Sequence, residues 1–103
     1  MQNIIMDKLE NIKELCVEYN VQSLFAFGSV CSENFNAKSD IDLLISFKPM
    51  DYSDYADAYF NIADKFEEVF ARPVDLITEK SLHNPYFIDS INKNKTKIYE
   101  SRD

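Results

Sequence analysis

The chain has 103 residues, 46% hydrophobic and 14% aromatic, with a formal net charge of −7. That is room for one soluble globular domain with a core, too apolar for disorder, and too acidic to favour a long polynucleotide as substrate. No apolar run approaches the roughly 20 residues that span a bilayer, and Met1–Asp7 has no cationic stretch ahead of an apolar one, so the chain is expected without a signal peptide, in the cytoplasm.

Two cysteines, one histidine and one glycine narrow the chemistry further. They leave out a disulfide framework, a Cys/His zinc cluster, the Walker loop and the dinucleotide fingerprint. His83 would have to serve any serine–histidine–acid triad, and it sits in a loop-like stretch with no matching motif.

From Ile5 to Tyr19 the apolar residues Ile5, Leu9, Ile12, Cys16 and Tyr19 recur every third or fourth position. This predicts an amphipathic helix in which Cys16 packs as a small apolar residue. Val21–Phe27 is β-branched and aromatic-rich and stops at Gly28, which predicts a buried strand followed by a Gly28-Ser29 turn. Val30 to Glu33 reads as one helical turn whose amides could meet an anion, and Asn34 to Ser39 as a polar loop. Ile41–Phe47 is a second strand, closed by Lys48-Pro49.

Tyr52 to Phe70 carries one broad apolar stripe through Tyr52, Tyr55, Ala56, Tyr59, Ile62, Ala63, Phe66, Val69 and Phe70, a long helix. Asp51 or Ser53 is placed to cap it, and Asp51, Asp54 and Asp57 suit its positive end. Pro73 ends that helix, and Val74 to Thr78 forms a third strand. Asn84-Pro85 reads as cap and first residue of a short helix to about Ile91, and Ile98-Tyr99 as a small edge strand. The expected fold is α/β (α+β): a small mixed sheet of three to four strands flanked by helices.

Asp40 and Asp42, spaced i, i+2, open the second strand. A strand sends such a pair to one face, with Cα atoms roughly 6.5 Å apart, while Ile41, Leu43 and Ile45 face the other. Two carboxylates so close repel each other unless a cation lies between them. Hard cations such as Mg²⁺ take one or two carboxylates plus substrate phosphates, so the pair reads as half of a metal site. Asp75 lies inside the otherwise apolar third strand. It is either a solvent-facing alternate position or, if that strand lies beside the second, the third carboxylate of a cluster.

Gly28-Ser29 at a strand end, ten residues, Asp40-Ile41-Asp42 on the next strand and Asp75 on a later one resemble the nucleotidyltransferase superfamily that includes DNA polymerase beta, specifically its minimal (MNT) members. The resemblance runs from Val21 to about Tyr99 and implies a single nucleotidyltransferase domain over residues 1–103. It implies that Asp40, Asp42 and Asp75 bind two Mg²⁺ ions, and that Asp75 also helps the acceptor hydroxyl lose its proton. Gly28 and Ser29 would hold the triphosphate of an ATP substrate. Where many minimal members have basic residues after Gly-Ser, this chain has Val30-Cys31-Ser32-Glu33, with Lys38 the nearest cation in sequence.

By the same resemblance the partner is a HEPN-type toxin, silenced when AMP is attached to its tyrosine, with a homodimer or hetero-oligomer completing the cleft. The alternatives are a nucleotidyltransferase-like binding module that neutralises its partner by contact, and a transferase for a small molecule or antibiotic. Most of Tyr52, Tyr55, Tyr59, Tyr86 and Phe87 are read as core residues, with any left exposed available to an interface.

Overall fold

The computed structural model describes residues 3–28 and 39–102. Helices α1 (Asn3–Asp7) and α2 (Leu9–Glu18) lead into strand β1 (Val21–Phe27); β2 (Ile41–Phe47), α3 (Tyr52–Phe70) and β3 (Val74–Thr78) follow. A 3₁₀ turn (Glu79–Ser81), α4 (Pro85–Asn94) and β4 (Thr96–Glu100) complete the described chain. The expected first helix is interrupted at Lys8, whose amide bonds to the Ile5 carbonyl, an i→i−3 link that tightens the turn and separates α1 from α2. Ile5 and Ile12 are nonetheless both fully buried.

The four strands form one mixed sheet in the order β3-β2-β1-β4. β1 runs antiparallel to β2 and β4, and β2 runs parallel to β3. The parallel pair requires a crossover, and α3 supplies it. Strand alternation divides the side chains between two faces. Leu24 and Ala26 of β1, Ile41, Leu43 and Ile45 of β2, Leu76 of β3 and Ile98 of β4 form the main core with Ile12 and Cys16 of α2 and Ile62, Phe66 and Phe70 of α3. On the other face Phe27 and Leu44 pack with Ile91 of α4, supported by Phe25, Ile77 and Leu82.

The helix ends follow their residues. Asn84 accepts hydrogen bonds from the amides of Tyr86 (2.9 Å) and Phe87 (3.3 Å), with Pro85 as the first helical residue. Asp51 takes the N-cap position of α3 with extended dihedrals, but its side chain makes no cap hydrogen bond. α3 ends on Ala71, held left-handed at φ 54°. Tyr52, read from its spacing as part of the buried stripe, is 90% exposed, and Tyr86 and Phe87, also read as core residues, are exposed in the first turn of α4. Tyr52 lies in the first turn of α3, ahead of the helix's first fully buried residue, Ile62. No described helix is long and apolar enough to cross a membrane.

Candidate active site

The parallel pairing of β2 with β3 sets Asp42 opposite Asp75 as register partners. Neighbouring strands are about 4.8 Å apart, and register partners project to the same face. Ile41, Leu43, Ile45 and Leu76 carry the core on one side, so Asp42 and Asp75 stand on the other, the face that also holds Phe27 and Leu44. The strand order sets Asp75 beside Asp42, as the cluster reading of Asp75 requires, and Asp75 also faces solvent, as the other reading has it. Asp75 is exposed and Asp42 half-buried.

This arrangement shows in the electrostatics. The Asp42 carboxyl is held above the usual aspartate range, first by burial, then by the charge of Asp75, then by that of Asp40. Asp42 thus lies within the field of both other carboxylates. Asp40 itself is exposed, just ahead of β2. The entry to β2 is fixed from two sides: Arg72 donates to the Ser39 carbonyl at 3.1 Å, and the Ile41 amide bonds to the Pro73 carbonyl at 3.2 Å.

Gly28 meets Asp42 from the end of β1, where Phe27 is the register partner of Asp42. Its φ of +72° lies in the left-handed region, and a Cβ built there would collide with Asp42 Oδ2 and lie 3.4 Å from its Cγ. The position therefore requires glycine twice, for its backbone and for the carboxylate packed against it. Ser29, Cys31 and Lys38, with the expected Val30–Glu33 turn, lie outside the described residues.

The donors are all carboxylate oxygens, which suits a hard divalent cation such as Mg²⁺ or Mn²⁺. Burial lifts Asp42 first, and the repulsion from Asp75 and Asp40 that adds to it is the part such a cation would neutralise. Among the described residues no group of three or more His, Cys, Asp or Glu is gathered closely enough to hold a metal ion. The residues brought together are the facing pair Asp42 and Asp75, with Asp40 at the rim. A pair suffices for Mg²⁺, which commonly keeps waters and substrate phosphates as its other ligands.

Three contributors were not visible in the sequence. Arg72 anchors the segment before Asp40 from 33 positions away. Glu67 accepts a 3.0 Å hydrogen bond from the Val74 amide at the start of β3. Tyr59 donates to the Leu76 carbonyl at 2.5 Å, and its own hydroxyl is pushed up first by burial and then by the charge of Asp75. Only the apolar spacing of Tyr59 was legible.

The family model described as "Polymerase beta, Nucleotidyltransferase" matches residues 10–103. A protein of Methanocaldococcus jannaschii named as a protein adenylyltransferase is 34% identical over 94 residues, covering 84% of this chain and 93% of its own. Two solved structures share the fold. A chain of a toxin–antitoxin crystal structure with AMP-PNP has a TM-score of 0.69 at 18% identity, covering 91% of this chain and 74% of that one. A chain of the complex between a tri-AMPylated Shewanella oneidensis HEPN toxin and an MNT antitoxin has a TM-score of 0.64 at 17% identity, covering 94% and 73%.

Proposed function

Because this chain belongs to the polymerase beta nucleotidyltransferase family, we propose that it moves AMP from ATP to the hydroxyl of a tyrosine on a HEPN-type toxin partner, acting as that partner's antitoxin. The observation that carries this reading is the register pairing of Asp42 with Asp75 beside the close-packed Gly28. The adenylyltransferase name of the M. jannaschii relative and the toxin–antitoxin context of the fold neighbours support it.

Asp42 and Asp75, with Asp40 beside them, are assigned as the carboxylates that hold two Mg²⁺ ions. When bound, the ions would supply the positive charge that stabilises the entering and departing oxygens. Gly28 and Ser29 are assigned to the triphosphate, where a glycine lets the backbone come close to phosphate oxygens. Asp75, exposed at the edge of the sheet, is assigned to accept the acceptor's proton. The hydroxyl oxygen bonds to the α-phosphorus, the bond from that phosphorus to the bridging oxygen breaks, and pyrophosphate leaves with that electron pair. The whole of residues 1–103 is read as the transferase domain, with the acceptor supplied by the partner.

A second reading has one observation in its favour. Val30-Cys31-Ser32-Glu33 brings no positive charge after Ser29, and a chain that grips triphosphate weakly would neutralise its toxin by contact alone. Incubation with ATP, Mg²⁺ and the HEPN-type partner, followed by intact-mass measurement, separates the two. Transfer adds the mass of AMP to the partner and is lost in Asp40→Ala and Asp42→Ala. Neutralisation that survives both substitutions, with no mass gain, would establish the contact mechanism instead.

A further inference from the structure

Asp75, Asp42, Phe27 and Lys95 stand in one row across the sheet, at the end that holds Gly28. The register pairs Asp75 of β3 with Asp42 of β2, and Asp42 with Phe27 of β1. On the far side Ala26 pairs with Thr96 in the antiparallel β4, so one residue further Phe27 meets Lys95, the extended residue that caps α4. Register partners project to one face, and the Lys95 ammonium keeps to it. It lies 4.4 Å over the ring of Phe25, which packs with Phe27 and Leu44 on the face that carries Asp42.

The lysines on either side of Lys95 are matched to carboxylates, Lys93 to Asp89 at 3.1 Å and Lys97 to Glu100 at 3.3 Å. Lys95 rests on an aromatic ring instead, a weaker contact than the charge-assisted hydrogen bond that a lysine makes to a phosphate oxygen. It is half-buried, and its flexible stem lets the ammonium swing. Two strand spacings, about 10 Å, separate its place in the row from that of Asp42. Gly28, at the end of β1 and packed against Asp42, lies between the two.

The path of the leaving group follows from the same row. In the transferase reading, on which this inference rests, Asp75 at the edge of the sheet receives the acceptor's proton, so the acceptor oxygen approaches from the β3 side. In-line displacement sends the leaving group out opposite the attacking oxygen, away from β3 and toward β1 and β4. Pyrophosphate then separates over Gly28 in the direction of Lys95. Val30-Cys31-Ser32-Glu33 brings no positive charge to that path, and the chain carries a net charge of −7. The charge that builds on the departing phosphates is stabilised by a cation already placed beside it.

We propose that Lys95 binds the leaving-group phosphates. Its ammonium moves from the Phe25 ring and donates hydrogen bonds to β- and γ-phosphate oxygens of ATP, keeping its proton throughout, on the flank opposite the carboxylates. The same contact holds pyrophosphate until it is released.

Calorimetric titration of the full chain in Mg²⁺ with α,β-methylene ATP, pyrophosphate and AMP tests this, in wild type, Lys95→Met, Lys95→Arg and Asp42→Asn. Lys95→Met keeps an apolar stem on Phe25 and removes the charge. It should weaken the ATP analogue and pyrophosphate at least about tenfold, and AMP, which lacks both phosphates, should bind the two proteins alike. Lys95→Arg, which keeps the charge, should stay within about threefold of wild type. Equal analogue affinity in wild type and Lys95→Met would overturn the proposal, whether or not the variant melts lower, as would an equal loss for AMP. If Asp42→Asn abolishes analogue binding while Lys95→Met binds like wild type, the assignment of Lys95 alone falls. A wild-type protein that binds no analogue overturns the transferase reading along with it.

Discussion

Replacing Asp42 by Asn should stabilise the metal-free protein while removing its activity. Asp42 is half-buried, faces Asp75 across neighbouring strands and feels Asp40 as well. Like charges opposed on adjacent strands cost on the order of 0.2–1 kcal/mol. In a domain of this size 1 kcal/mol moves Tm by about 4 °C, so Asp42→Asn should melt roughly 1–4 °C higher in EDTA at pH 7. The folded state raises the Asp42 pKa and so binds that proton more tightly than the unfolded chain does. Its penalty is therefore absent below the ordinary aspartate pKa of about 3.9 and grows as pH rises through the raised value. The Asn advantage should accordingly disappear near pH 3. Asp75→Asn should act in the same direction, and the double variant should gain less than the sum, since both relieve one repulsion. Differential scanning calorimetry at low salt reads all of this. A lower Tm for Asp42→Asn in EDTA, or a gain that persists undiminished at pH 3, would refute the reasoning.

Gly28→Ala should cost about 1–2 kcal/mol for the left-handed backbone and displace the Asp42 carboxylate; Gly28→Asn, which tolerates that backbone but keeps the colliding Cβ, should recover only the backbone part of that cost in thermal melts and none of the transfer rate. Ala71→Gly should relieve the left-handed end of α3 (φ 54°) and raise the urea midpoint by the equivalent of about 1 kcal/mol at unchanged slope. Cys16 is buried, and burial pushes its thiol up to about 12. Its peptide should stay unlabelled by iodoacetamide in the native protein at pH 8. Stability should also decline from about pH 9 upward, because the unfolded thiol ionises near 8.5 while the folded one keeps its proton.

Much of the fold was legible because its elements differ sharply in period. The bounds of β1, β2, α3 and β3 follow directly from the residues, and each strand's alternation separates Asp42 and Asp75 from the core face. The adjacency of β2 and β3, on which the carboxylate pair depends, was an expectation from the motif, since spacing within one strand says nothing of its neighbour. The break at Lys8 was hidden because the apolar spacing runs through it unbroken. Tyr52 was misplaced because a stripe at helical period does not reveal where the helix outruns the core. Arg72 acts through a carbonyl 33 positions away and Glu67 through an amide across the turn between α3 and β3, and a bond from a side chain to a backbone group leaves no residue pattern to read.

The pairing of Asp42 with Asp75 as a seat for a divalent cation and nucleotide is tested most directly by Mn²⁺ binding. The free-ion electron paramagnetic resonance signal would be followed in the presence of α,β-methylene ATP, which cannot release pyrophosphate. The wild-type protein should quench it saturably, and Asp42→Asn and Asp75→Asn should each weaken that binding on the order of tenfold or more. Equal Mn²⁺ affinity in wild type and both variants would contradict the assignment of these two carboxylates.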